Sequence, residues 1–191
     1  DVCSSDLDKI IVNRCKDVGP ATKLLGILYS NIHFNNTDYI ISVDDDVSYH
    51  IDLLKNYCRF IKLTPNSVLG LQGFNLVNGD IFYTNKAIKL TQVDVLEGYG
   101  SICYPYKFLK KDILNKIKFY PSYLINSDDI ILSNYFNKKT NLFLIYTTNF
   151  NIKQNKSLRY GFQKDALSFN NGNFRNHHFN YRKEIGRAHV W

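Results

Sequence analysis

Apolar residues follow two rhythms along this chain, one of strand type and one of helical type, and the two take turns. Residues 8–13 (DKIIVN) form a short apolar run that predicts a strand, and 14–20 (RCKDVGP) predict a loop punctuated by Gly19-Pro20. Over 21–32, Leu24, Leu25, Leu28 and Ile32 recur at helical spacing with Pro20 at the first turn, which predicts a helix. Residues 39–43 (YIISV) read as a buried strand that stops at Asp44-Asp45-Asp46, and an amphipathic helix is expected over 50–63. Strands are expected over 67–74 and 80–84, joined by an Asn78-Gly79 hairpin signal, then over 92–96 and 101–104. Residues 107–117 predict a helix, 128–136 another with Ser127 or Asp128 as N-cap, and 142–147 a returning strand. From Asn149 onward the chain turns Asn-rich and looser, and no internal repeat is visible. Strands alternating with helices predict an α/β domain with a mixed sheet.

Composition narrows this picture. With 191 residues, 45% hydrophobic and 15% aromatic, the chain has enough apolar material for one core, and it lacks the low hydrophobicity and high charge of a disordered polypeptide. Its apolar runs are of strand length, far short of the roughly 20 residues that cross a bilayer, so no transmembrane segment is expected. A net charge of +7 would suit nucleic acid, an anionic surface or a phosphorylated small molecule. The cations are dispersed, without a Lys/Arg block or zinc-finger spacing, which argues against a nucleic-acid partner. The abundance of Lys, Asn and Ile is also what an AT-rich genome produces. Cys3, Cys15, Cys58 and Cys103 lie far apart with no C-x-x-C pair, so neither a zinc site nor a disulfide framework is indicated and a reducing, cytoplasmic setting is expected.

The chain contains no methionine, which suggests a piece of a longer reading frame. Its ends, 1–7 (DVCSSDL) and 184–191 (EIGRAHVW), resemble translated sequencing-adapter sequence and are expected to be non-native, which leaves 8–183 as the single domain.

Candidate chemistry gathers at three places. Asp44, Asp45 and Asp46 end an apolar strand, where open α/β sheets collect ligands. Three carboxylates there repel one another unless a cation neutralises them, and oxygen-only ligation points to Mg²⁺ or Mn²⁺; the other reading is a solvated acidic turn. Arg14, Asp17 and Lys23 surround the Gly-Pro turn that feeds a helix, an arrangement that suits a diphosphate, although such cations are often simply solvated. Asp128 and Asp129 open a second helix; ordinary N-capping explains one of them and not the other.

Taken in order, RCKDVGPATKLL (14–25), IISVDDDV (40–47), VLEGYGSICYP (95–105) and SDDIILS (127–133) resemble the nucleotide-sugar glycosyltransferases of GT-A fold, most nearly the small enzymes of large DNA viruses and related microbes. The resemblance implies a GT-A-like, Rossmann-like mixed sheet flanked by helices, here short of its first strand and helix. It implies a metal-dependent, inverting enzyme that carries out hexosyl or deoxyhexosyl transfer from a nucleotide-diphosphate sugar to a glycan or other hydroxyl acceptor.

By the same resemblance Asp44 faces the sugar nucleotide and Asp46 the metal, with Asp45 assisting either and Asp44 a further ligand. Arg14, Asp17 and Lys23 hold the nucleotide; Glu97, Gly98 and Tyr99 line the acceptor side; Asp129 is the general base, with Asp128 second choice. His177 and His178 are candidates for an extra metal ligand, while His33 and His50 are structural. Two other readings remain: a haloacid-dehalogenase-type phosphatase, in which Asp44-x-Asp46 resembles the nucleophile motif and Asp128-Asp129 the distal acidic pair, and a sugar-nucleotide-binding module without turnover.

Overall fold

The structure, a computed structural model, describes residues 10–44, 47–78, 80–83, 90–120 and 127–145, and the backbone pairing of 153–154. Five strands form the main sheet: β1 (Tyr39–Ser42), β3 (Val68–Gly70), β6 (Leu90–Gln92), β8 (Ile102–Pro105) and β9 (Leu142–Ile145), in the order β1-β8-β3-β9-β6. β3 and β9 run parallel, with Val68 opposite Leu142, and the other neighbours are antiparallel, so the sheet is mixed. A smaller sheet has the order β5-β4-β7, from β4 (Gly73–Val77), β5 (Asp80–Tyr83) and β7 (Val95–Leu96), and β2 (Val47–Ser48) pairs with β10 (Lys153–Gln154). The helices are α1 (Thr22–Leu25), which runs on into a 3₁₀ turn (Gly26–Tyr29), α2 (Leu53–Leu63), α3 (Asp112–Lys116) and α4 (Asp128–Asn137).

The strand period of two decides which helix lies on which face. Val68, Ile102, Tyr104, Leu142 and Leu144 share one core with Leu24 and Leu25 of α1, Ile113 of α3, and Ile131 and Phe136 of α4. The alternate residues Leu69, Cys103 and Ile145 pack instead with Leu53, Tyr57 and Phe60, the inward stripe of α2. Both faces are therefore covered, and the expected mixed α/β arrangement is the one observed. Among the described residues, no helix is long and apolar enough to cross a membrane.

Several sequence expectations need correction. Residues 10–13 form no strand, and Ile10, Ile11 and Val12 are exposed. The helix expected over 21–32 ends at Tyr29: Ser30 turns extended (φ −78°, ψ 157°) and its hydroxyl donates to the Ile27 carbonyl at 2.8 Å, so Ile32 leaves the buried face. The run 67–74 is two strands in different sheets, β3 and β4, and 92–96 likewise divides between β6 and β7. Residues 107–117 give a 3₁₀ turn (Tyr106–Phe108) before the short α3. The expected hairpin between β4 and β5 is present: Val77 pairs with Asp80, and Asn78 has φ 52°, while Gly79 lies outside the described residues. Residues 8–9, 84, 146–147 and everything from Asn149 except 153–154 lie outside the described residues.

Candidate active site

The carboxyl end of β1, the first turn of α4, helix α1 and the 3₁₀ turn Gly98–Gly100 meet at one point. From α1 the Lys23 ammonium reaches Asp44 Oδ1 at 3.1 Å, just beyond β1, and Asp128 Oδ2 at 3.4 Å, at the start of α4. The Gly98 N–H donates to Asp129 Oδ1 at 2.7 Å. A Cβ at Gly98 would lie 2.7 Å from Lys23 Nζ and 3.0 Å from Asp129 Oδ1, so this close approach requires glycine. Residues from four well-separated stretches thus converge: Lys23, Asp44, Gly98, and Asp128 with Asp129.

The charges inside this cluster are unevenly matched. Burial is the main force acting on Asp129, and it pushes the carboxyl up to about 7; Asp128 beside it adds to the shift, while the Gly98 N–H and Lys23 offset part of it. Glu97, itself buried, adds a little in the same direction. For Lys23, burial works against the charge but is outweighed by Asp128, Asp44 and Asp129, so its ammonium is held more firmly than usual. Asp128 is 8% exposed, and its Oδ2 has an ion-pair distance to Lys23 but no hydrogen-bond partner among the described residues. The one hydrogen bond to the Asp129 carboxylate among the described residues is the Gly98 N–H on Oδ1.

Two tyrosines that sequence reasoning passed over support this arrangement. The Asp44 N–H donates to Tyr49 Oη at 2.9 Å, and the Tyr49 hydroxyl donates to the Tyr99 carbonyl at 3.3 Å, which ties the end of β1 to the Gly98 turn. Tyr104 is buried; desolvation raises its phenol well above the usual range, with Asp129 and Asp128 adding to the effect, and it shares a hydrogen bond with Ser42. Tyr49 falls three positions after the acidic run, a spacing that carries no signal by itself. Tyr104 belongs to an apolar strand pattern that reads as core.

The remaining expected site residues are placed differently. Asp17 turns onto its own loop, where Oδ1 accepts from the Gly19 N–H at 2.8 Å and the Thr22 hydroxyl at 3.0 Å. Arg14 is exposed and makes no ion pair with the carboxylate cluster among the described residues. Glu97 and Gly98 are buried and Tyr99 half-buried. Asp45, Asp46, His177 and His178 lie outside the described residues. Nδ1 of His50 accepts from the Asp52 N–H at 3.1 Å in the turn before α2.

A divalent cation needs hard oxygen donors, and Asp44 with the unpartnered Asp128 Oδ2 supplies them. Among the described residues no three His, Cys, Asp or Glu side chains converge to hold a metal. Mg²⁺ and Mn²⁺ are ions that can take most of their ligands from water and phosphate and so would need only a carboxylate or two from the protein. In comparisons with known proteins, no family model matches the chain and no curated protein matches it.

Proposed function

We propose that this chain is a metal-dependent, inverting glycosyltransferase of GT-A-like fold that moves a sugar from a nucleotide-diphosphate donor to an acceptor hydroxyl. The observation that carries the reading is the position of Asp129: a carboxylate titrating near neutrality, held by one oxygen on the Gly98 N–H, across Lys23 from Asp44. A base is most effective when its pKa lies near the working pH. Asp129 Oδ2 accepts the proton of the acceptor hydroxyl as it attacks, while Asp44, just beyond β1, holds the donor side together with Asp46. A bound Mn²⁺ or Mg²⁺ supplies Lewis-acid stabilisation of the leaving diphosphate. Lys23 stands between the two halves, and Glu97, Gly98 and Tyr99 form the acceptor wall.

Asp128 also reaches Lys23 and, through it, Asp44, and this is the acidic-pair arrangement that the phosphatase reading requires. That reading leaves the bond between Gly98 and Asp129 without a role. A thermal-shift screen of nucleotide-sugars with Mn²⁺, followed by a transfer assay, tests the proposal. Stabilisation by a nucleotide-sugar and sugar transfer are expected. Phosphate release from simple phosphomonoesters, insensitive to nucleotide-sugars, would favour the phosphatase, and metal-dependent binding without transfer or donor hydrolysis the binding module. Asp46→Ala is expected to remove metal dependence together with donor affinity.

A further inference from the structure

Lys23 occupies the place where a carboxylate cluster calls for a cation. Among the described residues it is the one cation ion-paired to Asp44 and Asp128, at 3.1 and 3.4 Å. We propose that Lys23 is a tethered stand-in for the divalent metal: it keeps free metal off Asp44 until a nucleoside diphosphate draws the ammonium away, so that metal and diphosphate enter together. The inference rests on Asp44 belonging to the donor site.

Three observations carry it. Asp128 is more than nine-tenths buried, and its Oδ2 points at the ammonium without a hydrogen bond, so one monovalent cation leaves this oxygen incompletely satisfied. The Lys23 side chain is 26% exposed and reaches the cluster on a flexible stem, which allows the ammonium to leave without moving the backbone. The absent Cβ of Gly98, which would come within 2.7 Å of Nζ, shows that the ammonium is accommodated closely here. An ammonium and a divalent ion at the same carboxylate repel each other, whereas a diphosphate brings enough negative charge to take up both. Lys23 would then pass from Asp44 to a phosphate oxygen as the ion takes its place.

The test is a titration of Mn²⁺, followed by electron paramagnetic resonance, into the wild-type chain, Lys23→Gln and Lys23→Arg, each alone and with ADP, GDP or UDP. The wild type is expected to bind Mn²⁺ at least about tenfold more tightly with one of the diphosphates than without. Lys23→Gln is expected to bind Mn²⁺ alone about tenfold more tightly than the wild type, and Lys23→Arg to behave as the wild type. If Lys23→Gln gains no affinity while the wild type still binds Mn²⁺ with a diphosphate, the stand-in role is overturned and the functional reading survives. If the wild type takes up no Mn²⁺ with any diphosphate, the assignment of Asp44 to a donor site fails, and the stand-in role with it. Should Lys23→Gln not fold without metal, millimolar Mn²⁺ is expected to restore its circular dichroism, and a failure to restore it counts against the proposal.

Discussion

Gly98 and Asp129 lie 31 residues apart, yet the Gly98 N–H donates to Asp129 Oδ1 at 2.7 Å. One backbone bond thereby fixes the rotation of a carboxylate that has few other restraints, and it joins the Gly98 turn to the start of α4. The same bond lowers the carboxyl pKa, but by less than burial raises it.

Gly98→Ala follows directly. The new Cβ would press on Lys23 Nζ at 2.7 Å and Asp129 Oδ1 at 3.0 Å, and while the lysine tip yields easily, Asp129 moves only by giving up its bond. Sugar transfer should fall about 100-fold, as small misplacements of reacting groups do, with a stability loss of about 1 kcal/mol. Transfer rates and a urea midpoint measure both.

Asp129→Asn removes the proposed base and keeps the acceptor for the Gly98 N–H. Transfer should fall about 10²- to 10⁴-fold, with donor affinity within a factor of about two of the wild type. Retained activity would show that another group takes the proton. For the wild type, kcat/KM should rise with pH and level off above about 7, because the base must be ionised.

The same shift makes Asp129 a burden at high pH. Its folded value, about 7, stands above the ordinary carboxyl value of 3.8, so between the two the folded chain keeps a proton that the unfolded chain has lost. Stability from this group is full below about pH 4 and declines as pH rises to 7. Asp129→Asn should therefore melt at a higher temperature than the wild type at pH 8 and close to it at pH 4. Calorimetry at the two pH values decides this, and a variant with a lower melting temperature at pH 8 would refute it.

Much of this site was legible because its chemistry sits at element boundaries. An apolar run ending in Asp44 marks a strand end, and Asp128-Asp129 before an apolar stretch marks a helix start. What could not be read was pairing between distant stretches. The run 67–74 is mostly apolar, and nothing local shows that Gly70 belongs to one sheet and Gly73 to another. DKIIVN has strand composition, but its described residues 10–13 pair with no strand, and composition does not supply a neighbour. Lys23 looks like an ordinary surface cation in sequence; its partners lie 21 and more than 100 positions away, and only the closed fold gives them to it.

Ser101, immediately after the Gly98 turn, carries a further prediction, since it is a non-glycine residue at φ 83°, ψ 139°, where L side chains are strained. It is completely buried, and its hydroxyl accepts from Tyr57 Oη, also buried, at 3.2 Å. Two opposing effects meet in one side chain. Ser101→Gly relieves backbone strain of about 1–3 kcal/mol but leaves the Tyr57 hydroxyl unpaired at a cost of about 1–3 kcal/mol, so it should be close to neutral. Ser101→Ala keeps the strain and loses the bond, and should be less stable than Ser101→Gly by about 1–3 kcal/mol. Combining Ser101→Gly with Tyr57→Phe removes the strain and both polar groups, and that double variant should exceed the wild type by about 1 kcal/mol. Urea midpoints for the four chains test the set. Equal stability of the Ala and Gly variants would show that the positive φ costs nothing, and Tyr57 would then be the sole reason for a serine here.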